Sequence, residues 1–137
     1  MARVAVIGLG YVGLTTAVGL GQLGHKVMGL DIVKPKGAIL ASGKSPIFEN
    51  GLEIALEQLL ASGSLKFKDQ LETIVDFKPE FTFICVATPQ DATGAADLSI
   101  LNSAANQIAQ LVPTGSILVV KSTVPVGTCS ALAKQLS

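Results

Sequence analysis

Val4-Ala5-Val6-Ile7-Gly8-Leu9-Gly10-Tyr11-Val12-Gly13 decides how this 137-residue chain is read. A short run of β-branched and small apolar residues leads directly into Gly-x-Gly-x-x-Gly. A helical stretch follows to Gly24, and a second apolar run, Val27-Met28-Gly29-Leu30, ends at Asp31. Each part suits a dinucleotide. Gly8 permits a tight turn off a strand, Gly10 lets the backbone come close to a pyrophosphate, and Gly13 lets the new helix pack against the strand. The N-terminus of that helix, at Tyr11 and Val12, offers free N–H groups to an anion. Asp31 stands eighteen residues after Gly13, where a carboxylate accepts hydrogen bonds from an adenosine ribose. A glycine triplet alone occurs in many turns; here the preceding strand, the following helix, the second strand and the acid at its tip accompany it.

Val4 to Gly24 contains no charged residue, which raises the alternative of a membrane span. Composition argues against it. Glycines, two threonines and a glutamine interrupt the run, the glycines cluster where a strand must turn, and no basic flank marks one side. No basic region precedes the apolar run either, so no signal peptide is expected and the cytoplasm is the expected compartment.

The length fits one domain with a substantial core. Ten basic and ten acidic residues cancel, so charge gives no reason to expect nucleic acid or an anionic membrane as partner. An apolar content of 49% with few aromatics suits a parallel sheet covered by helices on both faces. Cys85 and Cys129 have neither metal-site nor disulfide-framework spacing; Cys85 reads as a small buried hydrophobe in a strand. No metal is expected.

Along the chain the pattern predicts a strand at Val4–Ile7, a helix over Tyr11–Leu23 capped by Gly24, and a turn at His25-Lys26, with a solvated histidine of no catalytic role. After the second strand comes a short helix over Lys34–Leu40 with Pro35 in its first turn, although Pro35-Lys36-Gly37 should weaken it. Ser42-Gly43-Lys44-Ser45-Pro46 reads as a loop. Gly43-Lys44-Ser45 is not a phosphate loop, because Ala38 stands where that motif needs its first glycine. Leu52, Leu56, Leu59 and Leu60 mark an amphipathic helix ending at Ser62-Gly63-Ser64. A strand follows at Leu65–Phe67, then a helix with an Asp69/Glu72 capping box that Pro79 stops, and a strand over Phe81–Val86. Asp97 is expected to cap a helix whose Leu101, Ala104, Ala105, Ile108 and Val112 share a face. A strand at Ile117–Val120 and a last helix from about Gly127 complete the pattern. The alternation implies an α/β, doubly wound parallel sheet with right-handed crossovers.

In such sheets ligands sit beyond the carboxyl ends of the strands. Thr88 follows the fourth strand and Thr123 the fifth. Their hydroxyls either reach ribose, phosphate or nicotinamide, or simply end the strands before prolines; spacing leaves both open. A carboxylate at Asp31 repels a 2′-phosphate and favours NAD over NADP, an effect softened by Lys34 and Lys36. No histidine–carboxylate pair or activated cysteine is evident.

Taken together these motifs resemble the NAD-binding domain of the UDP-glucose/GDP-mannose dehydrogenase family across essentially the whole chain. The resemblance is carried by Ala5 to Leu14, Gly24-His25-Lys26-Val27, Gly43-Lys44-Ser45-Pro46-Ile47, Ala87-Thr88-Pro89, Asp97-Leu98-Ser99 and Lys121-Ser122-Thr123-Val124-Pro125-Val126-Gly127. It implies a Rossmann-like domain over residues 1–137 without its last strand, and without the central and C-terminal sugar-nucleotide domains. It also implies NAD contacts from Gly8, Gly10, Tyr11, Val12, Gly13, Asp31, Lys36, Thr88 and Thr123, with Thr123 assisting near the reacting centre. Family members oxidise a nucleotide-sugar alcohol to a carboxylate through a cysteine-bound intermediate, helped by a lysine and a carboxylate. Neither Cys85 nor Cys129 matches that cysteine, so this stretch alone is expected to be inactive. Gly37 and Asn50 depart from the family's usual aliphatic residue and proline. The final helix, ending at Ser137, presents Cys129, Leu132, Ala133 and Leu136 as an apolar face awaiting cover.

The Lys121–Gly127 run leans towards a UDP-glucose 6-dehydrogenase of polysaccharide biosynthesis, a homo-oligomer in full-length form that meets its nucleotide sugar only with the remaining domains. UDP-N-acetylhexosamine and GDP-mannose dehydrogenases are the alternatives within the class. Outside it stand a non-catalytic dinucleotide-sensing module and a structural domain kept for oligomer contacts.

Overall fold

The computed structural model describes residues 1–136, with the side chains of Lys34 and Pro35 and all of Ser137 outside the described residues. Five strands form one parallel sheet: β1 (Arg3–Ile7), β2 (Lys26–Leu30), β3 (Leu65–Lys68), β4 (Phe81–Ile84) and β5 (Ile117–Val120). Their spatial order is β3-β2-β1-β4-β5. The chain winds outward from β1 through β2 to β3, then crosses back to lay β4 on the other side of β1. That reversal opens a crevice above the ends of β1 and β4, where ligands of open α/β sheets bind.

Alternation along β1 builds two cores. Val4 and Val6 point to one face, where they pack with α1 (Tyr11–Gln22) and α3 (Leu52–Ala61) through Leu14, Val18, Leu56 and Leu59. Ala5 and Ile7 point to the other, against α5 (Ser99–Leu111) and α6 (Thr128–Leu136) through Leu101, Ala105, Ile108 and Leu132. Burial on both faces explains why the inner strands β1, β2 and β4 read as nearly continuous apolar runs. It also disposes of the membrane alternative: Val4 to Gly24 is divided between a strand and a twelve-residue helix. No helix among the described residues is long and apolar enough to cross a membrane.

The end of α1 follows from its sequence. Gly24 has φ +88°, its N–H bonds the Gly21 carbonyl at 3.0 Å, and the His25 N–H bonds the Leu20 carbonyl at 3.2 Å. This paired closure needs a left-handed residue, which glycine adopts without penalty. The helix expected after β2 forms as α2 (Lys34–Ala41) despite Gly37.

Several local expectations are corrected. The Asp69/Glu72 pair caps nothing: Gln70 precedes a 3-10 turn, Leu71–Thr73, which runs into the single-turn α4 (Ile74–Phe77) without a side-chain cap. Lys78 in a left-handed conformation ends α4 before Pro79, in keeping with the way a proline disfavours the α-helical region for the residue ahead of it. β4 stops at Ile84 rather than Val86, because the chain there turns to wall the crevice. Asp97 does bond the Ser99 N–H, at 2.9 Å, but it lies one residue outside the helix boundary at Leu98. His25 is half-buried rather than solvated, and its Nδ1 accepts the Ala2 N–H at 3.2 Å. On α6 the buried side is Thr128 and Leu132 with the partly buried Leu136, which pack on the core beside α5, whereas Cys129 and Ala133 of the expected apolar face are exposed.

Candidate functional site

The site begins where β1 turns. The Gly8 N–H bonds the Leu30 carbonyl at 2.8 Å, tying the turn to the neighbouring strand. Gly13 sits beneath it. A Cβ there would lie 1.7 Å from the Gly8 carbonyl oxygen and 3.2 Å from the Cys85 Cβ, so turn and helix meet at a distance only glycine allows. Around Gly10 the situation is reversed: a Cβ would meet nothing within 4 Å, leaving the backbone bare towards the crevice. Gly10 is also the N-cap of α1, which has no side-chain cap and no acidic residue in its first turn. The opening amides therefore carry the positive end of the helix dipole with no side-chain acceptor among the described residues, which suits a bound anion.

Asp31 follows the tip of β2, its side chain only 8% exposed. Oδ2 accepts the Leu9 N–H at 2.9 Å and pairs with Lys36 Nζ at 3.3 Å. Oδ1 accepts the Val33 N–H at 2.9 Å. The carboxylate thus binds the glycine turn to the start of α2. A carboxylate offers about four acceptor positions, so one remains for a sugar hydroxyl. Lys36 reaches this acid, while the Lys34 side chain lies outside the described residues.

The opposite wall is built by the segments leaving β4 and β5. The Cys85 N–H bonds the Ile7 carbonyl at 2.8 Å. Ser122 Oγ donates to the Val86 carbonyl at 2.7 Å, and Thr88 Oγ1 donates to the Thr123 carbonyl at 2.8 Å. Burial pushes the Cys85 thiol up to about 11, against the opposing pull of the Lys121 charge. At neutral pH it is a protonated thiol, not a nucleophilic thiolate. Tyr11 is turned partly away, its hydroxyl donating to the Glu49 carboxylate; that bond, then the Glu49 charge, raises the phenol above its ordinary range.

Gly8, Gly10, Tyr11, Val12, Asp31, Lys36, Thr88 and Thr123 all line one crevice of about 870 Å³, with Gly13 packed under its floor. The crevice also takes in residues that the sequence did not place in the site. Ser99, Ser103 and Gln107 of α5 line it; their four-residue spacing beside the apolar stripe of Leu101, Ala105 and Ile108 is a signal that was available. Ser122 and Lys121 line it as well, and nothing local in the sequence announces the Ser122 bond to Val86. Among the described residues no group of three or more His, Cys, Asp or Glu side chains could hold a metal ion. The bare turn, the uncapped helix and the partly satisfied acid together fit a diphosphate joined to a ribose, so a dinucleotide suits the residues present.

Comparison with known proteins agrees with this geometry. Residues 2–137 match the model of the UDP-glucose/GDP-mannose dehydrogenase family, NAD binding domain. UDP-glucose 6-dehydrogenase YwqF of Bacillus subtilis is 43% identical over 126 residues, which are 92% of this chain and 28% of that protein. Among solved structures, UDP-D-ManNAc dehydrogenase from Pyrococcus horikoshii superposes with a TM-score of 0.92 at 34% identity, over 98% of this chain and 31% of that one. A UDP-glucose dehydrogenase from Pyrobaculum islandicum gives 0.88 at 40% identity, over 99% and 33%. The chain thus spans about a third or less of the length of these relatives. Crevice, glycine turn and sequence match converge, and the chain belongs to the UDP-glucose/GDP-mannose dehydrogenase family of NAD-dependent oxidoreductases, as its NAD-binding domain.

Proposed function

We propose that this domain holds NAD for a nucleotide-sugar 6-dehydrogenase that oxidises UDP-glucose to UDP-glucuronate. The observation that carries the reading is the joint arrangement of an uncapped α1 N-terminus and Asp31, whose Oδ2 lies 2.9 Å from the Leu9 amide. In this reading the pyrophosphate rests on the free amides from Gly10 to Gly13, with Tyr11 and Val12 opening the helix above it. Asp31 and Lys36 hold the adenosine ribose; the carboxylate accepts a hydroxyl and disfavours a 2′-phosphate. Thr88 and Thr123 wall the nicotinamide half, and Thr123 assists beside the reacting carbon. NAD, when bound, supplies the hydride acceptor. Converting a primary alcohol to a carboxylate removes four electrons, so two hydrides leave each sugar.

UDP-glucose is supported by the 43% identity to an enzyme of that name, while the P. horikoshii relative keeps the UDP-N-acetylhexosamine class as the second reading. The test uses the full protein that carries this domain, assayed with UDP-glucose, UDP-N-acetylhexosamines and GDP-mannose. Two NADH per sugar acid formed, with UDP-glucose giving the highest kcat/KM, is the expected result. Preference for either other sugar nucleotide would overturn the substrate. The isolated 137-residue chain should bind NAD weakly and oxidise none of the three; UDP-glucose turnover by that stretch alone would contradict the assignment of the reacting groups to other domains.

A further inference from the structure

The sheet's backbone ladder between β4 and β5 ends at the pair Ile84↔Val120. Past that point the two strands run on towards the crevice, and the Ile84 carbonyl receives the Lys121 and Ser122 N–H groups at 2.9 and 3.2 Å. From there onward two side-chain hydroxyls link the segments. Ser122 Oγ, from the β5 side, donates to the Val86 carbonyl at 2.7 Å. Thr88 Oγ1, from the β4 side, donates to the Thr123 carbonyl at 2.8 Å. The bonds run in opposite directions across one gap, so each segment both gives and receives. Both residues are half-buried, but the Ser122 bond is partly buried and the Thr88 bond exposed, which shields the Ser122 bond better from competition by water.

We propose that Ser122 is a positioning residue for the nicotinamide half of the cofactor: its hydroxyl, with that of Thr88, clasps the β4 and β5 extensions into the wall against which that half lies. The proposal rests on the dinucleotide reading above. The adenosine end of the crevice is held by Asp31, and the anion end by the α1 amides; neither touches the clasp. The clasp should therefore act on one half of the ligand alone. A purely structural role for Ser122 would weaken both halves together.

Binding is measured by calorimetry on the chain with two probes, NAD and ADP, where ADP keeps the adenosine and diphosphate and lacks the nicotinamide riboside. In the unaltered chain NAD should bind more tightly than ADP. Ser122→Ala should weaken NAD about three- to tenfold, the range of one lost hydrogen bond, and leave ADP within about twofold. Ser122→Thr, which keeps the hydroxyl, should restore NAD binding, and Thr88→Val should reproduce the selective loss. Equal loss of NAD and ADP in Ser122→Ala, or no loss of either, overturns the clasp; an unfolded variant counts there, since it loses ADP too. Equal affinity of the unaltered chain for NAD and ADP also overturns it. Failure of the unaltered chain to bind either probe would instead overturn the dinucleotide reading.

Discussion

Thr82 lies in the middle of β4, fully buried, with no hydrogen-bond partner for its Oγ1 among the described residues. A hydroxyl sealed from water without a partner costs about 1–3 kcal/mol. Replacing it with a methyl of similar shape removes that cost and keeps the β-branched packing. Thr82→Val should raise the unfolding free energy by about 1 kcal/mol, seen as a higher urea midpoint with an unchanged slope; a lower midpoint would mean that the hydroxyl has a role the fold hides. Single residues were the least legible part of the sequence. Asp31 could be placed at the tip of β2 from spacing alone. Its three bonds could not, because they depend on how the Leu9 amide and Lys36 return to it across the turn. The same holds for Thr88, whose hydroxyl is directed by a carbonyl 35 residues later.

At the scale of the element, α1 shows how one residue type serves opposite ends. A Cβ at Gly13 would clash with the Gly8 carbonyl at 1.7 Å, whereas one at Gly19, two turns on, would meet nothing within 4 Å. The same substitution should therefore have opposite signs. Gly19→Ala should stabilise by roughly 0.5–1 kcal/mol through helix propensity. Gly13→Ala should destabilise by about 1–3 kcal/mol through overpacking and weaken NAD binding as the turn is pushed off the helix. Urea melts of both variants, with NAD titrations, check this; equal shifts would contradict the packing described. Helices and strands with strong periodicity were legible: β1, α1, β2, α3 and β5 fall within a residue or so of their expected limits. The segment from Asp69 to Phe77 was not, because a capping-box pattern needs enough helix behind it, and Pro79 leaves room for a 3-10 turn and one α turn. β4 was read too long for a related reason. Cys85 and Val86 remain apolar, but they serve the crevice wall and not the ladder.

For the whole molecule, the alternation of strands and helices was enough to predict a doubly wound parallel sheet, since crossover handedness leaves few topologies. The order β3-β2-β1-β4-β5 then decides everything about the site, because the reversal at β1 puts the glycine turn, Asp31 and the clasped β4 and β5 extensions around one crevice. Composition could not reveal that convergence; only the strand order brings Gly10, Asp31 and Thr123 to the same rim. The central claim is that the α1 amides take a diphosphate while Asp31, paired to Lys36 at 3.3 Å, takes an unphosphorylated ribose. Comparative titration of NADH and NADPH tests it most directly. The account predicts that the unaltered chain binds NADH more tightly, and that Asp31→Ala lowers NADH affinity and narrows the difference. Tighter binding of NADPH by the unaltered chain, or an Asp31→Ala variant that keeps both affinities unchanged, would contradict it.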